Sequence, residues 1–202
     1  AGSTLVADIN PNTESSNADN FVVAGSRYFF RAYTPQYGWE LFTSTSATGS
    51  ATLVKDIRVD GDSWPDSFTV SGNKMYFRAD DGIRGREIWV TDGTSAGTQI
   101  AKDICPFSYD CGSSIQSAIN GGVLIQANDS LHGYQHFFTD GTVAGTQPLD
   151  NNLDAGGNAE SPVVLGNKII FILDNGSSGR EIWYYDTATG GRGILKDIRT
   201  GG

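Results

Sequence analysis

Several residue types are scarce in this chain. Its 202 residues include two cysteines, two histidines, one methionine and six prolines. A zinc site would want Cys-x-x-Cys spacing or clustered histidines beside Cys105 and Cys111, and neither is present. His132 and His136 stand four apart, a spacing that builds a metal-binding face only on a helix, and no segment keeps a helical apolar period. No run approaches the roughly 20 apolar residues of a membrane-spanning helix. Positive charge is scarce too: 14 Lys and Arg stand against 23 Asp and Glu, a net charge of −9. Such a chain has little with which to neutralise phosphates or hold an anionic bilayer, so nucleic acid and membrane insertion are not expected. A Gly-x-Ser-x-Gly elbow and a phosphate loop are both missing, and no other catalytic signature replaces them. The expectation is a protein that is not an enzyme. The sequence starts at Ala1 without a leader, as a mature secreted chain would.

Glycine, aromatics and repetition are plentiful. The Asp of a Lys-Asp-Ile-like motif falls at Asp8, Asp56, Asp103 and Asp197, with Asn151 in the matching place, at steps of 48, 47, 48 and 46 residues. An independent marker, Glu40, Glu87, Gln135 and Glu181, steps by 47, 48 and 46. Each period holds four short β-rich runs, of which TLVKDI, SFTVSG, MYFRAD and EIWV are typical, separated by Gly-containing turns. Solenoid stacking is the competing arrangement, but solenoid repeats are usually shorter or helical. The period therefore predicts an all-β chain: a β-propeller of four blades, each a four-stranded antiparallel meander of about 47 residues, with one extra strand. It is read as a single domain over 1–202, with repeat units near 4–51, 52–98, 99–146 and 147–192 and a C-terminal strand at 193–198. A closed ring is expected, with the spare strand at either Thr4–Ile9 or Ile194–Ile198.

Asp81-Gly82, Gly85, Glu87-Ile88-Trp89, Asp92-Gly93-Thr94, Gly97-Thr98 and Lys102-Asp103-Ile104 resemble the E-L-W-x-x-D-G-T repeat of large bacterial secreted or surface proteins. The resemblance spans nearly the whole chain, strongest in the second unit and weakest in the first. It implies β-propeller blades in an extracellular module and no defined reaction, substrate or cofactor. Asp80-Asp81-Gly82 is also similar to the Asp-containing hairpin turns of sialidase propellers, which are structural.

Each Asp-Gly-Thr is read as a reversing turn, because Asp can accept from backbone N–H groups ahead of it. Phe42, Trp89, Phe137 and Trp183 are read as packing between blades. Glu40, Glu87 and Glu181 precede Lys55, Lys102 and Lys196 by fifteen residues each, and both are lost together at Gln135 and Asp150. That joint loss predicts partly buried Glu–Lys pairs. Cys105 and Cys111, six apart, predict a local disulfide and an oxidising, extracellular setting.

Binding is expected on the variable loops at one face of the propeller. Tyr37, Trp64, Phe107 and Tyr109 are its candidate ligand-binding residues. Asp60, Asp62 and Asp66 form a faint calcium-loop pattern that lacks the full twelve-residue spacing and the terminal Glu, so turn-forming aspartates are the preferred reading; no other cofactor is implied. Asn128-Asp129-Ser130 and Asn175-Gly176-Ser177 are glycosylation sequons. The functional expectation is adhesion or recognition of a protein or glycan, secreted or at a cell surface. The alternatives are a structural subunit of an extracellular assembly, made of copies of itself and joined by strand donation, and, more distantly, a carbohydrate-active enzyme.

Overall fold

The structure is a computed structural model that describes residues 5, 7–12, 14–45, 50–106, 112–150 and 158–196. It contains four separate antiparallel meanders, each with its strands in chain order. Blade 1 comprises β1 (Asp19–Ala24), β2 (Arg27–Thr34), β3 (Gly38–Ser44) and β4 (Thr52–Lys55). Blade 2 comprises β5 (Asp66–Ser71), β6 (Lys74–Asp80), β7 (Arg86–Thr91) and β8 (Gln99–Ile100). Blade 3 comprises β9 (Ser114–Ile119), β10 (Gly122–Asn128), β11 (Tyr134–Thr139) and β12 (Gln147–Pro148). Blade 4 comprises β13 (Glu160–Leu165), β14 (Lys168–Asp174), β15 (Arg180–Asp186) and β16 (Arg192–Lys196). The architecture is all-β, four-bladed and propeller-like.

The blades are cut one strand later than the repeat units predicted from sequence. The Lys-Asp-Ile strand closes the blade before it instead of opening the next, because β4 pairs with β3 and β16 with β15. The cause is connection length. A short turn joins the third and fourth strands as a hairpin, whereas the polar loop after the fourth is too long for one. The spare segment is thus Thr4–Ile9. Its described residues, Leu5 and Ala7–Ile9, are not in a strand, and Thr4 and Val6 lie outside the described residues.

Alternation in the second strands of the two middle blades sends side chains to two neighbouring blades. In β6, Met75, Phe77 and Ala79 pack back against Phe29, Leu41 and Val54 of blade 1. Tyr76, between them, packs forward with Val123, Ile125 and Phe137 of blade 3. Both faces are buried at its middle, so Met75-Tyr76-Phe77 runs apolar without alternation. The third interface sets Ile119, Leu124 and Leu149 of blade 3 against Ile169, Phe171 and Tyr185 of blade 4. Phe42, Trp89, Phe137 and Trp183 all face backward, each within or against a core cluster.

The core clusters of the described residues do not close the ring expected from the sequence. Core clusters join blade 1 to 2, 2 to 3 and 3 to 4, and the remaining cluster, around Phe30, Ala32 and Phe42, is confined to blade 1 and Ile9. No core cluster among the described residues joins blade 4 to blade 1. Successive blades share the three cores, and Leu165 and Leu195 of blade 4 and Phe21 of blade 1 stay exposed.

The Asp-Gly-Thr turns are built as the sequence predicts. Asp92 Oδ1 accepts from the Thr94 amide at 2.8 Å and its hydroxyl at 2.7 Å, and Thr94 Oγ1 accepts from the Gly97 amide at 2.9 Å. Asp140, Thr142 and Gly145 repeat this at 2.8, 2.7 and 2.9 Å. Thr91 and Thr98 hydroxyls meet at 2.6 Å beneath the turn, as Thr139 and Thr146 do at 2.7 Å. Gly93 and Gly141 take φ of +90° and +89°, which L side chains rarely adopt. Gly141 also lies against blade 2, where an added Cβ would come within 2.9 Å of the Val90 methyls.

Candidate functional site on the loop face

The loops after each second and fourth strand share one face. They are tied together by backbone bonds: the Ser63 carbonyl accepts from the Asp80 amide at 2.9 Å, and the Ser63 amide donates to the Trp39 carbonyl at 3.1 Å. The connection 56–65 folds back onto the start of β3, where Asp62 Oδ1 accepts from the Trp39 amide at 2.9 Å. A side chain at position 38 would collide with Asp62 and with the Gly61 carbonyl, so Gly38 permits the approach.

This fold-back builds an aromatic stack. The Trp64 ring lies on Trp39 with centroids 5.3 Å apart and planes at 22°, and Tyr33 adjoins Trp39 at 6.0 Å. The Arg31 guanidinium lies 4.9 Å from the Trp39 centroid and 5.8 Å from that of Trp64. Arg31 is held in place by two bonds to Asp19, at 2.9 and 2.6 Å. Trp64 keeps 42% of its surface exposed and has φ of +47°. A bulky residue with positive φ is a backbone outlier that its surroundings must hold. Arg86 contributes by donating to the Trp64 carbonyl at 3.2 Å.

The predicted site residues are spread out. Trp64 is in the stack, but Tyr37 lines a separate groove of about 300 Å³ with Asn10, Pro35 and Phe42. Phe107 and Tyr109 lie outside the described residues. The three candidate calcium ligands have separate partners. Asp60 is exposed, 3.9 Å from Arg58 Nε. Asp62 caps Trp39, and Asp66 accepts from Arg78 at 2.8 and 3.1 Å and from Arg86. Partial burial would raise the Asp66 carboxyl, but the Arg78 and Ser67 hydrogen bonds and the Arg86 and Arg78 charges outweigh it and hold it below the usual range. Among the described residues no three His, Cys, Asp or Glu side chains group as metal ligands. Cys105 is fully buried between blades 2 and 3, while Cys111 lies outside the described residues.

The Glu–Lys pairs need correction. A β-bulge at Val54 sets Lys55 opposite Leu41 instead of Glu40, and the same irregularity sets Lys196 opposite Ile182 instead of Glu181. One extra residue turns the lysine to the other face of the sheet. Lys55 Nζ therefore reaches forward and donates to the Thr98 carbonyl of blade 2 at 2.9 Å. Lys102 Nζ does the same to Thr146 of blade 3 at 3.3 Å, so it clasps the next blade and not Glu87. Between blades 3 and 4, where Asp150 replaces the lysine, the direction reverses: Arg192 donates to the Pro148 carbonyl at 3.1 Å. The glutamate has its own role. Glu40, fully buried, accepts from Ser63 Oγ at 2.6 Å and the Arg58 amide at 3.1 Å. Burial raises its carboxyl to about 7, against the lowering pull of those bonds.

The fold thus defines a class, a four-bladed propeller-like protein with an aromatic stack on its loop face. No family model and no curated protein matches the chain. It is similar in structure to a puromycin hydrolase complexed with PGG, at 12% identity and a TM-score of 0.46, covering 92% of this chain and 29% of that one. A structure from a study of two prolyl endopeptidases matches at 10% identity and a TM-score of 0.35, covering 91% and 37%. The chain therefore spans well under half of either, and at these scores neither likeness bears on activity.

Proposed function

We propose that the chain is a non-catalytic, extracellular recognition module that takes its ligand on the loop face. The observation that carries this is the Trp39–Trp64 stack with Arg31 beside it, an exposed aromatic surface with a fixed cation. Aromatic rings held open on a rigid frame suit the apolar face of a sugar, and the adjacent cation and carboxylates suit its hydroxyls. Of protein and glycan ligands, the stack favours glycan. The extracellular setting is supported by the Cys105–Cys111 spacing and by the resemblance to the E-L-W-x-x-D-G-T repeat. Strand donation to another copy is supported less, since Ile9 packs on its own blade 1. Glycan-array screening followed by titration of the intact protein tests the reading. Trp64→Ala is expected to weaken binding at least tenfold without moving the melting midpoint; binding indifferent to Trp64 would remove the site.

A further inference from the structure

The turn that carries Trp64 is part of the repeat. The Tyr33 amide donates to the Ser16 carbonyl at 2.8 Å, as the Asp80 amide does to that of Ser63 at 2.9 Å. Ser16 and Ser63 are therefore matched, and so are the residues after them, Asn17 and Trp64, with φ of +46° and +47°. Asn tolerates this left-handed backbone, and a bulky aromatic does not. The turn forms without tryptophan in blade 1. What the ring adds at position 64 is open aromatic surface, at a cost in backbone strain.

The arginines around the stack are already matched by carboxylates. Arg31, with 18% of its side chain exposed, gives Nε and one Nη to the two oxygens of Asp19. Arg86 and Arg78 share Asp66. Arg58 reaches Asp80 at 3.1 Å and Asp60 at 3.9 Å. Asp62, two residues before Trp64, adds a carboxylate bonded to the neutral Trp39 amide. Among the described residues of this site, negative charge therefore exceeds positive.

We propose that the stack selects uncharged glycans and refuses those bearing carboxylate or sulfate groups; the inference rests on the glycan reading of this site. An acidic sugar laid on the rings would bring its anion beside Asp19 and Asp62. To pair with Arg31 it would have to displace Asp19 from a two-point bond and pull the guanidinium from its place against two indoles. Like charges so close repel, and a partly buried site screens them poorly. An uncharged sugar meets neither obstacle. Its C–H face covers the Trp64 ring, while its hydroxyls donate to lone pairs of Asp19 and Asp62. The N–H groups of Arg31 beyond its two bonds to Asp19 donate to a sugar oxygen.

Titration of the full chain with uncharged, uronate-bearing and sulfated oligosaccharides of equal length, followed by tryptophan fluorescence, tests it. The parent is expected to bind the uncharged sugar roughly tenfold or more tighter than either acidic one. That affinity is expected to stay within about twofold between about 0.05 and 0.5 M salt. Asp19→Asn, checked as folded by its melting curve, leaves the Arg31 charge unanswered. It is expected to shift the preference roughly tenfold toward the acidic sugars, a gain that high salt removes. Binding confined to acidic sugars, or equal for both classes, and lost in Trp64→Ala, overturns the charge selection and keeps the site. Binding of neither class removes the site and the inference together. A folded Asp19→Asn chain with no gain for acidic sugars also overturns the selection. Should that variant not fold, the parent's preference and its salt dependence decide.

Discussion

Leu149 and Leu195 hold the same position in successive blades, yet one is 1% exposed and the other 54%. Leu149 has blade 4 in front of it, whereas no core cluster of the described residues includes Leu195. The contrast shows that a blade's sequence specifies two sticky faces, while the burial of each depends on a neighbour it does not encode. A side chain's worth is set by that neighbour, since burial and packing are lost only where they were made.

The comparison can be broken at the leucines themselves. Leu149→Ala should destabilise the chain by about 2–5 kcal/mol, as core truncations do. Denaturant unfolding monitored by tryptophan fluorescence gives the value; a loss no larger than that of the end-face leucine would dissolve the distinction.

A second contrast lies between Glu40 and Gln135, matched positions that are charged in one blade and neutral in another. The Glu40 carboxyl is raised by burial to about 7 from its ordinary 4.5. A raised carboxyl contributes stability that is complete below its unfolded value and is lost as pH rises through 7. Glu40→Gln should therefore gain stability relative to the parent between pH 4.5 and 8, reaching on the order of 3 kcal/mol at the upper end. Unfolding curves across that range measure it, and parallel pH profiles would contradict it.

Glycines sharpen the same point at smaller scale. Gly141 is at positive φ and against Val90 of the neighbouring blade, whereas Gly190, at φ of +70°, has open space around it. Gly141→Ala should cost about 1–3 kcal/mol through backbone strain and overpacking together, and Gly190→Ala only the strain. Equal shifts in melting midpoint would mean that the blade contact adds nothing. Leu195→Ala, finally, should change the stability of the isolated chain by no more than about 0.5 kcal/mol, as exposed substitutions do.

Much of the frame was legible in the residues. The period, the strand pattern and the Asp-Gly-Thr turns follow from local chemistry: alternation, positive φ at glycine, and hydroxyls within reach of nearby amides. The cut between blades was not legible, because a repeat reads the same from any starting strand. The lysine's direction was hidden by a single bulge residue that reverses its face. Trp64 drew notice as a loop aromatic, but Trp39, Tyr33 and Arg31 did not. They join it only when residues 56–65 fold back onto β3, and no spacing rule announces a contact across 25 positions between Trp39 and Trp64.

The sequence by itself determined that this protein is built from four copies of one small sheet, since each copy carries its own period, turns and apolar faces. Only the tertiary structure decided which strands share a sheet, which lysines clasp a neighbour and which faces stay open. Those outcomes depend on hydrogen bonds and packing between segments far apart in the chain, where the repeat treats every copy alike and geometry does not.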